Sequence, residues 1–322
     1  MPLIESSYHP SFYFKNAHFN TVYKTLFFKS NVTYKRERIF TPDNDFLDLD
    51  FSTVGSHTLV IAMHGLEGSS NSKYIISAIN YINSKSIDCV AINFRGCSGE
   101  DNKYLHSYHS GKTDDLNSVI QYILSNFNYQ HIILLGYSMG GNITLKFLGE
   151  NSVIPKEIKG AIAISVPCDL AGSSFVLAKR ENKVYMNRFL KTLKEKTMLK
   201  MKKFPDNNLN KEAILAAKTF KDFDNEVTAP LFGYKNAADY WKHCGSKQFI
   251  PAISTPTLLI NALDDSFLST SCYPTDEAMN HPYLHLELPT YGGHVGFNTS
   301  IFRKDNLWSE KRIFEFIQHI IS

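Results

Sequence analysis

Gly136-Tyr137-Ser138-Met139-Gly140 spells G-x-S-x-G, and it stands where the apolar run 131–135 ends and a segment carrying Ile143, Phe147 and Leu148 begins. A strand-to-helix turn this sharp needs glycines for close backbone approach, and it lifts a serine Oγ above a sheet at a helix N-terminus. Gly141 adds a third small residue beside it. Gly and Ser are common, so the motif alone says little; flanked by a buried strand and a helix, it marks a nucleophile. A serine hydroxyl is a weak nucleophile at neutral pH, so the site requires a base within reach and an acid to orient that base. On this kind of turn they follow in the order serine, acid, histidine. Asp264-Asp265 comes directly after the apolar run 257–261, where a strand-end loop holds a carboxylate over the sheet. His294 lies in Tyr291-Gly292-Gly293-His294-Val295-Gly296, just past the alternating Leu284, Leu286 and Leu288. Its flanking glycines let the backbone bend to aim an imidazole. Of the other histidines beyond the acid, His285 points outward in the strand alternation, His319 falls in a terminal helix and His281 precedes Pro282 in a turn. His294 is the base this spacing selects.

Acyl chemistry at Ser138 also needs two backbone N–H groups aimed at the charge that develops on the substrate oxygen. Met139, the residue after the nucleophile, supplies one. The other comes from His64-Gly65-Leu66-Glu67-Gly68 at the end of the run Thr58–Met63, with Leu66 N–H as the donor. His64 itself reads as a packing residue of that loop. His109 to Asp114 spells H-x-x-x-x-D, a pattern that some acyltransferases use. Asp114 is already explained as an acidic residue in a helix's first turn, so the pattern is discounted. Arg95 and Glu100 are candidates for a structural ion pair.

The elements that must position these groups are legible as an alternation. The runs 58–63, 89–94, 132–135, 161–164 and 257–260 are short and continuously apolar, as parallel strands covered on both faces must be. Leu47, Leu49 and Phe51 alternate with Asp48 and Asp50, which predicts a strand with one wet face near a sheet edge. Between the runs lie amphipathic segments. One has Thr113 as N-cap, Asp114 and Asp115 in its first turn, and Leu116, Val119, Ile120, Ile123 and Leu124 at helical spacing; a second spans about residues 72–84. Strands alternating with helices give right-handed crossovers and a mostly parallel, doubly wound sheet. The alternation stops near Val166 and resumes near Thr255, with a Lys-rich helical stretch between. A connection of that length carries structure of its own, so 167–254 reads as an inserted helical cap, its lysines as a solvated helix face.

Composition narrows the class. With 34 Lys and Arg against 31 Asp and Glu, the formal charge of +3 is too small for a nucleic-acid footprint. Five scattered cysteines without a Cys-x-x-Cys pair argue against a disulfide framework and a structural zinc site. No secretory leader is legible at the N-terminus and no apolar run approaches the roughly 20 residues of a spanning helix. A cytoplasmic protein is the expectation. Phe12, Phe14, Phe19, Tyr23, Phe27 and Phe28 form an aromatic N-terminal segment that either packs or touches a membrane peripherally.

Eight stretches resemble the YheT-type branch of the α/β-hydrolases, which is related to eukaryotic abhydrolase-domain lipid esterases. They are NAHFNTVYKTLFF (16–28), HGLEGSSNSKYI (64–75), NFRGCSGE (93–100), YHSGKTDDL (108–116), GYSMGGNITLKFLGE (136–150), TAPLFGYKNAADYW (228–241), INALDDSFL (260–268) and GGHVGF (292–297). The resemblance implies the α/β-hydrolase fold, about eight strands with an inserted helical cap, and a triad of Ser138, Asp265 and His294. The acid falls on Asp265 because Ala262 stands where many such hydrolases have the glycine of a G-x-x-D turn, which leaves Asp264 to accept turn N–H bonds. Ser266 departs from the proline frequent at its position. The expected domains are a catalytic one, 1–166 with 255–322, and the cap 167–254. The expected activity is hydrolysis of a carboxylic ester, lipid or otherwise, through an acyl-enzyme, with no metal or organic cofactor required. An acyltransferase using the same triad, or a silent binding module, are the alternatives.

Overall fold

Nine strands form one sheet in this computed structural model, which describes residues 3–301 and 307–322. In chain order they are β1 (Leu3–Ile4), β2 (Lys35–Phe40), β3 (Phe46–Ser52), β4 (Thr58–Met63), β5 (Asp88–Asn93), β6 (His131–Tyr137), β7 (Ile158–Ile164), β8 (Thr257–Ile260) and β9 (Leu284–Glu287). Their order across the sheet is β1-β9-β8-β7-β6-β4-β5-β3-β2. Only β3 runs antiparallel to its neighbours β2 and β5; every other pairing is parallel.

The helices are α1 (Ala17–Phe27), α2 (Lys73–Asn83), α3 (Thr113–Asn126), α4 (Met139–Glu150), α5 (Leu170–Leu177), α6 (Lys183–Lys203), α7 (Lys211–Ala216), α8 (Phe220–Phe223), α9 (Ala229–Phe232), α10 (Ala237–Cys244), α11 (Thr275–Met279) and α12 (Trp308–Ile321). The continuous apolar runs are explained by what lies on either side of them. Leu59, Ile61 and Met63 of β4 join a core with α3 and α4, through Val119, Ile123 and Ile143. Val60 and Ala62 join a second core with α2 and α12, through Ile75, Ile79 and Ile313. Alternate side chains of one strand thus fill opposite layers, and neither face meets water. α5 to α10 occupy the stretch between β7 and β8, where Leu177, Met186, Leu190, Ile214 and Phe223 form a smaller core.

Four local readings change. The β3 aspartates do not face water. β2 pairs along their strand, and Arg38 clamps Asp48 at 2.8 and 2.9 Å while Arg36 clamps Asp50 at 2.7 and 2.8 Å, so buried carboxylates and paired guanidinia cover each other. α3 starts one residue earlier than expected, with Lys112 as N-cap and Thr113 already helical, though Asp114 and Asp115 do fill its first turn. Arg95 binds Asp43, Asp45 and Asp115, while Glu100 binds Arg38. The α6 lysines are not all solvated: Lys200 turns inward, and its ammonium binds Asn102 O and Oδ1 at 2.8 and 2.7 Å.

Among the N-terminal aromatics, Phe14 is buried against Phe19 and Tyr23, whereas Phe12 and Phe27 are exposed. No helix among the described residues is long and apolar enough to cross a membrane.

Candidate active site

β6 delivers the chain to Ser138 and α4 leaves from it, so one residue absorbs the whole change of direction. Ser138 has φ 52° and ψ −116°, a conformation an L-residue holds only when its surroundings impose it. Two glycines make room for the turn. A Cβ on Gly136 would stand 2.4 Å from Gly140 O, and one on Gly140 would stand 2.6 Å from Met63 O.

The three polar side chains meet in one line. His294 Nε2 lies 2.9 Å from Ser138 Oγ, and His294 Nδ1 lies 2.8 Å from Asp265 Oδ2. The other carboxylate oxygen, Asp265 Oδ1, accepts from Phe267 N–H at 2.9 Å. Asp265 and His294 are both buried, and the Phe267 ring stacks on the imidazole with centroids 4.2 Å apart. With Nδ1–H donated to a carboxylate, Nε2 is left as the basic nitrogen facing the serine hydroxyl.

Side chains from α1 and from two loops hold the backbone that carries that imidazole. His294 N–H donates to Thr21 Oγ1 on α1 at 2.9 Å, and Val295 N–H donates to Ser165 Oγ at 2.9 Å. Gly293 N–H donates to Asp264 Oδ1 at 2.9 Å. The two neighbouring aspartates are thereby separated: Asp265 reaches the ring, and Asp264 braces the histidine loop. Burial, more than the Gly293 and Gly292 N–H bonds and the neighbouring Asp265, sets the Asp264 carboxyl, which is pushed up to about 6.

The loop after β4 lies directly against the serine. A Cβ on Gly65 would stand 3.1 Å from Ser138 Cβ, and Gly65 N–H is already donated to Tyr74 Oη at 2.9 Å. Among the described residues, Leu66 N–H and Met139 N–H donate to no protein acceptor. His64 packs as expected: burial holds its pKa down to about 4, and its Nδ1 lies 2.7 Å from Gly65 O.

The remaining histidines stand elsewhere. His109 Nδ1 accepts from Gly111 N–H at 3.1 Å while Asp114 pairs with Lys112, so the H-x-x-x-x-D residues form no dyad. His281 Nε2 donates to Ile250 O at 3.0 Å, and His285 packs on Phe316. Phe267, Thr21 and Ser165 are the supporting residues that the sequence reading missed. Each sits next to or within a quoted stretch, but nothing local indicates that it touches a loop far away in sequence.

A cavity of about 470 Å³ opens onto Ser138. The sheet side contributes Leu66 and Met139, and the helical stretch contributes Leu177, Phe189, Leu193 and Phe220. Its wall is mainly apolar, with Glu67, Lys196 and Asp224 among the exceptions.

Comparison with known proteins agrees with this architecture. Residues 58–297 match the α/β hydrolase fold family. YheT of Escherichia coli (strain K12) is 31% identical over 93% of this chain and 89% of its own length. Phospholipase ABHD3 of Homo sapiens is 27% identical over 99% of this chain and 80% of its own length. An esterase of Pyrococcus furiosus shares the fold with a TM-score of 0.63 at 20% identity, over 91% of this chain and 92% of that one. The nine-stranded sheet, the turn at Ser138 and these similarities together assign the chain to the α/β-hydrolase family, in the branch that includes YheT.

Proposed function

We propose that this protein is a serine hydrolase that cleaves a carboxylic ester through an acyl-enzyme on Ser138. The observation that carries the reading is the unbroken line Asp265–His294–Ser138, at 2.8 and 2.9 Å, with Ser138 in the wall of a mainly apolar cavity. In the first half-reaction Ser138 Oγ attacks the ester carbonyl carbon as its proton passes to His294 Nε2. Leu66 N–H and Met139 N–H receive the oxyanion, and the tetrahedral intermediate collapses as His294 protonates the departing alcohol. Water then repeats the sequence on the acyl-enzyme and releases the acid. Asp265 holds the imidazole tautomer throughout and stabilises the imidazolium.

The segment 167–254 is the cap over this site in our reading, since α5, α6 and α8 furnish much of the cavity wall. An apolar enclosure of about 470 Å³ suits a substrate with a hydrocarbon acyl chain. The names of relatives, including a phospholipase, support esters of the lipid class. A series of nitrophenyl esters of increasing acyl length, run beside a phospholipid panel, tests this: kcat/KM should rise with chain length until the cavity is filled. Failure to hydrolyse any ester in either set would refute the proposed activity.

A further inference from the structure

Glu67 follows Leu66 directly and is one of few non-glycine residues with positive φ, at 57°. Its side chain turns inward and is 6% exposed. Tyr108 Oη grips it twice, accepting from Glu67 N–H at 3.0 Å and donating to Oε1 at 2.6 Å. The third partner comes from the helical stretch: Lys196 Nζ on α6 lies 3.0 Å from Oε1 and 3.0 Å from Oε2. That ammonium is 3.7 Å from Cys97 Sγ, whose thiol burial pushes up to about 11 and so keeps neutral. The ionic partner of Lys196 is therefore Glu67.

This ion pair is a poor source of stability, because desolvating the Glu67 carboxylate offsets much of its attraction to a Lys196 that is partly exposed. Its geometric consequence is larger. The loop bearing Leu66 N–H is fastened to α6, and α6 also presents Phe189 and Leu193 to the cavity. An acyl chain seated on Phe189 and Leu193 thus bears on the same helix that holds Glu67. A left-handed residue next to a catalytic N–H turns easily once its side chain is released.

We infer that Glu67 is a positioning residue which, latched to Lys196, aims Leu66 N–H at the substrate oxygen and couples cap placement to the oxyanion site. The inference rests on the proposed roles of Ser138 and Leu66. Such a latch acts on the transition state, so its loss lowers kcat and leaves KM nearly alone.

The test uses the full chain with E67Q, K196M, K196R and the double variant E67Q/K196M. For each, kcat and KM are measured on a short and a long nitrophenyl ester, with fluorophosphonate labelling alongside. Misaiming one donor by a fraction of an ångström lowers kcat about 10- to 100-fold in E67Q and in K196M, with KM within about threefold. K196R retains most of the rate, and the double variant is no slower than the slower single, because both remove one latch. The inference is overturned if both singles keep kcat within about threefold of wild type, if KM carries the change, or if the two losses multiply in the double variant. Should E67Q not fold, K196M and K196R decide alone, since the Lys196 side chain is 40% exposed and its replacement is tolerable. Wild-type protein that fails to label at Ser138 would instead bring down the underlying reading; labelled wild type with unaffected variants would bring down only the latch.

Discussion

The strand ends that carry Ser138, Asp265 and His294 and the helical stretch between β7 and β8 are held in different ways. Around the three side chains, short backbone bonds arrive from distant sequence: His294 N–H on Thr21, Val295 N–H on Ser165, Ser138 N–H on Ile164 O. The strands beneath them are buried at nearly every residue. The helical stretch has a small core of its own and leaves Val184 77% and Leu199 65% exposed. Some of its ties to the loops below are long lysine side chains, Lys196 to Glu67 and Lys200 to Asp101. A flexible four-carbon stem tolerates displacement that a backbone hydrogen bond does not. We propose that chemistry is placed on the rigid frame and substrate selection on the adaptable one, so that perturbing each should give a different kind of change.

On the rigid frame, the largest effect short of removing the nucleophile comes from Asp265→Asn. An amide favours the wrong imidazole tautomer, so kcat should fall on the order of 10² to 10⁴ with the melting temperature little changed. Steady-state rates set beside melting curves check this, and near wild-type turnover would mean that another group orients His294.

On the adaptable frame, replacing residues 183–204 with a short linker also removes Lys196, so small-ester kcat should fall about as far as in K196M, while the preference among acyl lengths should change beyond anything K196M alone produces. A loss of small-ester turnover far beyond that of K196M in a variant that still folds would move that stretch from selection into catalysis, and the contrast between the two frames would fail.

The smallest effect belongs to Asp264→Asn. The amide oxygen still accepts from Gly293 N–H, so turnover and neutral-pH stability should shift by less than about 1 kcal/mol equivalent. The pH dependence is sharper. Because the Asp264 carboxyl is raised from 3.8 to about 6 by burial, the folded state holds its proton more tightly than the unfolded one. Its contribution to stability is present in full below 3.8 and is lost as pH rises through about 6. Urea unfolding across that window should therefore show a declining component in the wild type that is absent in Asp264→Asn. An unchanged slope in the variant would show that Asp264 is not the group responsible.

How much of this was legible in the sequence follows the same division. The meeting of Ser138, Asp265 and His294 was readable because each lies in a loop or turn that follows a strand-like segment, and strand ends of a parallel sheet converge by construction. β2 was not, since Lys35-Arg36-Glu37-Arg38 has no apolar period and its pairing with Asp48 and Asp50 appears only once the sheet forms. The same holds for Arg95, whose carboxylates come from the turn between β2 and β3 and from the first turn of α3, and for Lys196 and Lys200, whose partners lie about a hundred residues away. Periodicity reports which face of an element is buried. It does not report which charge meets it there, so polar contacts of long sequence separation are where the solvated-face reading of α6 gave way.

The role of Ser138 is tested most directly by which atom reacts covalently. Wild-type protein incubated with a fluorophosphonate, digested and analysed by mass spectrometry should carry one adduct on Ser138. The Ser138→Ala protein should carry none and lose at least about 10³-fold in ester turnover. An adduct on a different residue, or turnover that survives Ser138→Ala, would contradict the claim that Ser138 is the nucleophile of this fold.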